Sequence, residues 1–113
     1  MITIYHNPRC GKSRECLAFV TNSKEAFEVV KYLENPLNFN QLEEIIKKLN
    51  IKPIELIRTK ESVWIENYKG KKLSDKEIIQ AIVDYPILME RPIAVKGNKA
   101  VIARPLDKIK EII

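Results

Sequence analysis

The one histidine and both cysteines of this chain fall within its first sixteen positions, as His6, Cys10 and Cys16. Cys10 lies in the turn-like run His6-Asn7-Pro8-Arg9-Cys10-Gly11, where Pro8 and Gly11 interrupt any regular pattern. Before it stands the strand-like Ile2-Thr3-Ile4-Tyr5, and after it a helical pattern begins. A cysteine at such a junction meets the unpaired N–H groups and the dipole of a helix start, both of which favour negative charge. The thiolate is the nucleophilic form of cysteine, and Arg9, Lys12, Arg14 and His6 supply cationic surroundings. Nucleophilic attack by Cys10 is therefore the chemistry expected here. His6, four residues earlier, is close enough across a turn to share that environment. Ser13 is placed either to cap the helix or to hydrogen-bond Cys10 or its ligand.

Cys16 belongs to a different environment. At ~100° and ~1.5 Å per residue it is turned by roughly 240° and raised by up to ~9 Å from Cys10, outside the ~4.4 to 6.8 Å that a disulfide requires. Beside Leu17 in an apolar stripe it reads as a core residue. No CxxC redox pair is present, and one histidine with two cysteines at this spacing builds no zinc site, so neither a metal nor a bound cofactor is expected.

The arginines are placed unlike the lysines. Fifteen lysines are spread along the sequence, and a net charge of +5 distributed in this way points away from nucleic acid. Of the five arginines, Arg9 and Arg14 flank Cys10, Arg58 ends a short apolar turn, and Arg91 and Arg104 each directly precede a proline. Guanidinium pairs two oxygens of an oxyanion at once and keeps its charge. That placement suggests arginines facing a site.

The elements that must position these groups can be traced in order. A first strand over residues 1 to 5 is followed by a helix from Ser13 to Thr21 and a second strand from Phe27 to Tyr32, so the strands pair in parallel through a right-handed crossover. Asn38 caps a helix from Phe39 to Leu49, whose inner face is Leu42, Ile45, Ile46 and Leu49 and which Asn50 closes. A short turn spans Pro53 to Ile57, and residues 59 to 72 read as irregular around Trp64 and Tyr68. Ser74-Asp75-Lys76-Glu77 is a capping box ahead of a helix that ends before Pro86. Ile93 to Lys96 and Lys99 to Ala103 form a hairpin on Gly97-Asn98. Pro105 opens a last helix to Ile113, with Leu106, Ile109 and Ile113 on one face.

A length of 113 residues suits one domain with a single core, and 45% apolar with 31% charged residues is the composition of a globular chain. No apolar run approaches the ~20 residues that span a bilayer, and Met1 leads into the first strand without a signal-peptide layout. A cytoplasmic monomer without membrane contact is expected, with both thiols reduced.

The loop His6-Asn7-Pro8-Arg9-Cys10-Gly11-Lys12-Ser13-Arg14 resembles the active-site loop of the glutaredoxin-dependent arsenate reductases. The resemblance continues in order through Tyr32-Leu33-Glu34-Asn35-Pro36, Leu56-Ile57-Arg58, Pro86 to Ile93 and Ala103-Arg104-Pro105. It implies an α/β thioredoxin-like fold with a core of about 1–37 and 86–113 and a helical insertion of about 38–85 between the second and third strands. It also implies one essential cysteine, Cys10, and three arginines that hold arsenate and its cysteine adduct, Arg58, Arg91 and Arg104. In thioredoxin-like folds the proline facing the cysteine is cis, which falls here on Pro92. Glutathione as co-substrate and glutaredoxin as partner are implied to resolve the adduct. Lys12 stands where these reductases often carry a small hydroxyl residue, and Cys16 is an additional thiol. The same superfamily holds RNA-polymerase-binding transcriptional regulators, which typically carry CxxC at this loop, and a glutathione-dependent reductase of another substrate is a further alternative.

Overall fold

Ile2 and Ile4 alternate with Thr3 and Tyr5, and this period-two pattern buries one face of a four-residue strand completely. The computed structural model describes residues 1–113. Its elements are β1 (Ile2–Tyr5), α1 (Gly11–Asn22), β2 (Phe27–Val30), α2 (Phe39–Leu49), α3 (Ser62–Asn67), α4 (Asp75–Asp84), β3 (Ile93–Lys96) and β4 (Lys99–Ile102). Short 3₁₀ segments lie at Pro53–Leu56, Pro86–Leu88 and Leu106–Glu111. The chain forms two compact units, one of Met1–Asn35 with Arg91–Ile113 and one of Pro36–Glu90. No helix is long and apolar enough to cross a membrane.

The first unit carries the sheet, in the order β2-β1-β3-β4. β1 and β2 pair in parallel from Ile2↔Phe27 to Tyr5↔Val30, as the intervening helix requires. β1 and β3 are antiparallel, with Tyr5 opposite Ile93, and β3 turns into β4 at Gly97, whose φ of 61° is open to glycine without cost. This mixed α/β sheet is the thioredoxin-like order anticipated from the sequence. Ile2, Ile4, Cys16, Val20, Ala94, Val101, Ala103, Ile109 and Ile112 form its core.

Three local expectations for this unit are corrected. α1 starts at Gly11, earlier than Ser13, because the Arg14 N–H closes a helical turn on the Cys10 carbonyl at 3.0 Å. The second strand stops at Val30, and the Glu34 and Asn35 N–H groups turn back onto the Lys31 carbonyl. The last helix is a 3₁₀ segment ending at Glu111. Its inward residues Leu106, Ile109 and Ile112 recur every three positions, the period of that tighter helix, whereas Ile113 is exposed.

The second unit is built of helices, with one isolated bridge between Ile57 and Met89. α2 begins at Asn38, whose side chain accepts from the Gln41 N–H while Gln41 accepts from the Asn38 N–H, and it ends on Asn50 in the left-handed region. Leu42, Ile45 and Ile46 are buried as expected, and Leu49 is half-buried. α4 has the reciprocal Ser74–Glu77 cap and packs against α2 and two of the 3₁₀ segments. The region read as irregular contains α3. Trp64 and Tyr68 stack across one turn at 5.2 Å, and this i,i+4 pairing supports a six-residue helix that has no apolar stripe to announce it.

Candidate active site

The loop between β1 and α1 is set by Asn7. Its side-chain Oδ1 accepts from the Arg9 N–H at 3.0 Å, and its carbonyl accepts from the Cys10 N–H at 3.0 Å, closing a tight turn with Pro8 second. The Asn7 N–H in turn donates to Ser13 Oγ at 3.3 Å. Ser13 is completely buried and spends its hydroxyl on the loop, so it does not cap α1. Sequence reasoning passed over Asn7, although an Asn-Pro dipeptide is itself a turn signal.

The turn delivers Cys10 to the N-cap of α1, with φ −95° and ψ 123° and no side-chain capping bond. Cys10 thus occupies the place where an acceptor side chain ordinarily takes a first-turn N–H, and charge developing on its sulfur meets those unpaired donors. Arg14, one turn on, reaches back to donate from Nη1 to the Pro8 carbonyl at 3.0 Å. Its guanidinium therefore braces the loop at the helix start.

His6 is buried, and its Nδ1 has no hydrogen-bond partner. Burial, reinforced by the nearby charges of Lys31 and Arg14, holds its pKa below the ordinary value, against a smaller opposing effect of a hydrogen bond with the Ser13 backbone. Cys16 faces the core and is fully buried; with no solvent to stabilise its anion the thiol is pushed up to about 11. Both cysteines are free.

The register of the sheet places further groups at the same end as Cys10. Because β1 and β3 are antiparallel with Tyr5 opposite Ile93, the exit of β1 and the entry of β3 share one edge. Ile93 in turn faces Ile102, which puts the exit of β4 there too. Arg91 and Arg104 stand two residues outside those pairs, each followed by a proline in a cis peptide. The cis bond at Arg91-Pro92 matches expectation, and Pro92 is fully buried, with its carbonyl accepting from the Ala103 N–H at 2.9 Å. Arg104 Nη1 lies 3.3 Å from the Arg91 carbonyl, so the two guanidinium-bearing segments are tied together. Arg91 itself has two solvent-shielded nitrogens, Nε and Nη1, without any partner.

Arg58 belongs to the helical unit. There its backbone N–H donates to the Leu88 carbonyl, and its guanidinium is held by Glu61 at 2.6 Å from Nη1 and by Glu90 at 3.4 Å from Nε. Of the predicted site residues the sheet unit thus gathers His6, Cys10, Ser13, Arg14, Arg91, Pro92 and Arg104, while Arg58 lies in the other. No three His, Cys, Asp or Glu side chains are clustered to hold a metal ion.

Comparison with known proteins places this arrangement. A family model described as the ArsC family matches residues 5–112. An uncharacterised Escherichia coli K12 protein, YfgD, is 45% identical over 99% of this chain and 96% of its own length. A Haemophilus influenzae protein named arsenate reductase is 39% identical over 99% of this chain and 98% of its own. The solved structure of an arsenate reductase from Vibrio cholerae superposes with a TM-score of 0.94 at 37% identity, covering 99% of this chain and 97% of that one.

Proposed function

Because this chain belongs to the ArsC family, we propose that it is an arsenate reductase with Cys10 as its nucleophile. The observation that carries this reading is the unpartnered pair of Arg91 nitrogens at the Cys10 end of the sheet. Leaving a buried donor unsatisfied costs ~1 to 3 kcal/mol, and more for a charged group. An oxyanion that accepts from this guanidinium lowers that cost and is held at the Cys10 end of the sheet. The similarity of named arsenate reductases selects arsenate among the anions that fit.

In this reading Cys10 sulfur attacks the arsenic of arsenate, a protonated oxygen departs as water, and a sulfur–arsenic bond forms. Arg91 and Arg104 hold the remaining oxygens. Glutathione then attacks the Cys10 sulfur. The sulfur–arsenic bond breaks with its electron pair left on arsenic, so As(V) becomes As(III), and the two sulfurs are oxidised together to a mixed disulfide. Arsenite takes up protons from water and leaves. A glutaredoxin thiol cleaves the mixed disulfide and restores Cys10, in a cytoplasm whose glutathione pool supplies the electrons.

The anion site is tested with Arg91→Lys, which keeps the charge and removes the planar fork. The KM for arsenate is expected to rise by roughly tenfold or more, about the worth of one charged hydrogen bond. An unchanged KM and kcat would remove Arg91 from the site.

A further inference from the structure

α1 starts differently from the two reciprocally capped helices of this chain. At α2 and α4 the side chain before the helix accepts from the N–H three positions on, and the side chain at that position accepts in return from the capping residue's own N–H. At α1 the return bond is split through Asn7. The Cys10 N–H donates to the Asn7 carbonyl, and Ser13 Oγ, three positions after Cys10, accepts from the Asn7 N–H. The other bond is not made, so the Cys10 side chain carries no capping bond.

The Asn7 side chain decides where this happens. An Asn-Pro pair is a helix-start signal, with Asn as the cap and Pro in the first helical position. Here the signal is obeyed for one turn only. Asn7 Oδ1 accepts from the Arg9 N–H at 3.0 Å, as a cap does, but Cys10 is extended at φ −95° and ψ 123°, and the helix begins again at Gly11. On the outer side of this turn, an open cleft of about 510 Å³ lies between residues 6–9 and the opposite wall of Lys31, Leu33 and Glu34. Packing does not hold the turn from that side, which leaves its shape to the hydrogen bonds of Asn7.

We propose that Asn7 is the positioning residue of the Cys10 nucleophile. Through its carbonyl, its N–H and its Oδ1, it keeps Cys10 at the break between two helical turns, with the sulfur uncommitted beside the first-turn N–H groups of α1. The inference rests on the proposed use of Cys10 as nucleophile, and it concerns what holds that residue in place.

The test uses the full chain and Asn7→Ala, which removes the Oδ1 acceptor and leaves every charge around Cys10 as it was. Iodoacetamide at pH 7 is expected to react with Cys10 about fivefold more slowly, the equivalent of about 1 kcal/mol. Asn7→Ser, whose hydroxyl can accept more weakly in the same kind of turn, should recover part of that rate. In turnover, Asn7→Ala should lower kcat by a similar factor and leave the KM for arsenate, which Arg91 serves, unchanged. The core residue Cys16 is the internal control, and its labelling should stay as slow as in the parent. An unchanged Cys10 rate would overturn the assignment, and so would a faster one, which would mean that the turn merely shields the sulfur. Labelling of Cys16 that rises in both variants would also overturn it, because the whole unit would then have loosened. A raised KM with kcat unchanged would place Asn7 at the anion instead. Because alkylation needs no arsenate, a protein inactive on arsenate whose Cys10 still slows in Asn7→Ala separates failure of the proposed reaction from failure of this placement.

Discussion

Two cysteines six positions apart have opposite fates because one precedes α1 and the other lies on its inner face. Cys10 stands at the helix start and Cys16 in the core of the sheet unit. Iodoacetamide near neutral pH is therefore expected to label Cys10 well before Cys16, as peptide mass mapping can show; equal labelling of both would contradict the assignment. The raised Cys16 pKa also has a consequence for stability. Below its unfolded value of 9.0 the thiol is protonated in both states, but between 9.0 and about 11 the unfolded chain gives up a proton that the folded chain keeps. The unfolded state then binds fewer protons, so stability falls as pH rises through this window. Urea titrations of the parent and of Cys16→Ala from pH 8 to 11 should show the parent losing stability more steeply. Parallel profiles would mean that Cys16 ionises freely in the folded protein. Arg91 and Arg58 differ in a comparable way, since Arg58 has two carboxylate partners and Arg91 has two nitrogens with none.

The helices of the Pro36–Glu90 unit depend on their ends. Asn38→Ala removes the side-chain half of the reciprocal cap on α2, the bond from the Gln41 N–H to Asn38 Oδ1, and is expected to cost about 1 kcal/mol in urea unfolding, with a smaller loss for Asn38→Gly. A change below a few tenths of a kcal/mol for Asn38→Ala would show the cap to be dispensable. Caps are also why α2 and α4 could be placed from the sequence: Asn38 with Gln41 and Ser74 with Glu77 mark the starts, and the apolar spacing marks the inner face. α3 left no such mark, because its stability comes from an aromatic stack and its single buried residue is Trp64. The 3₁₀ ending leaves an equally ambiguous mark. Leu106, Ile109 and Ile113 fit an α-helical stripe as well as Leu106, Ile109 and Ile112 fit a period of three, and only packing against the sheet core chooses between them. At the active-site loop, the position of Cys10 was legible, whereas the duty of Ser13 was decided by Asn7, through a hydrogen bond that no spacing rule encodes.

In the sheet unit as a whole, residues far apart in sequence become neighbours at one end of the sheet through strand order. The parallel pairing of β1 with β2 opens the cleft beside His6, and the antiparallel pairing of β1 with β3, and of β3 with β4, brings in Arg91 and Arg104. The linear sequence showed the arginines through their prolines, but the cleft-forming Lys31 and Glu34 looked like ordinary solvated charges until the fold set them across from the Cys10 loop. A thiol site with one cysteine at the helix start and the other in the core must take its second thiol from outside the chain. Arsenite release from purified protein supplied with arsenate therefore reports on Cys10 chemistry itself. With glutathione and glutaredoxin present, multiple turnovers are expected. They should cease when glutathione is omitted, vanish in Cys10→Ser, and persist in Cys16→Ser. The account is contradicted if no thiol supply yields multiple turnovers while the protein co-purifies with RNA polymerase regardless of Cys10→Ser, or if thioredoxin alone drives turnover that Cys16→Ser abolishes.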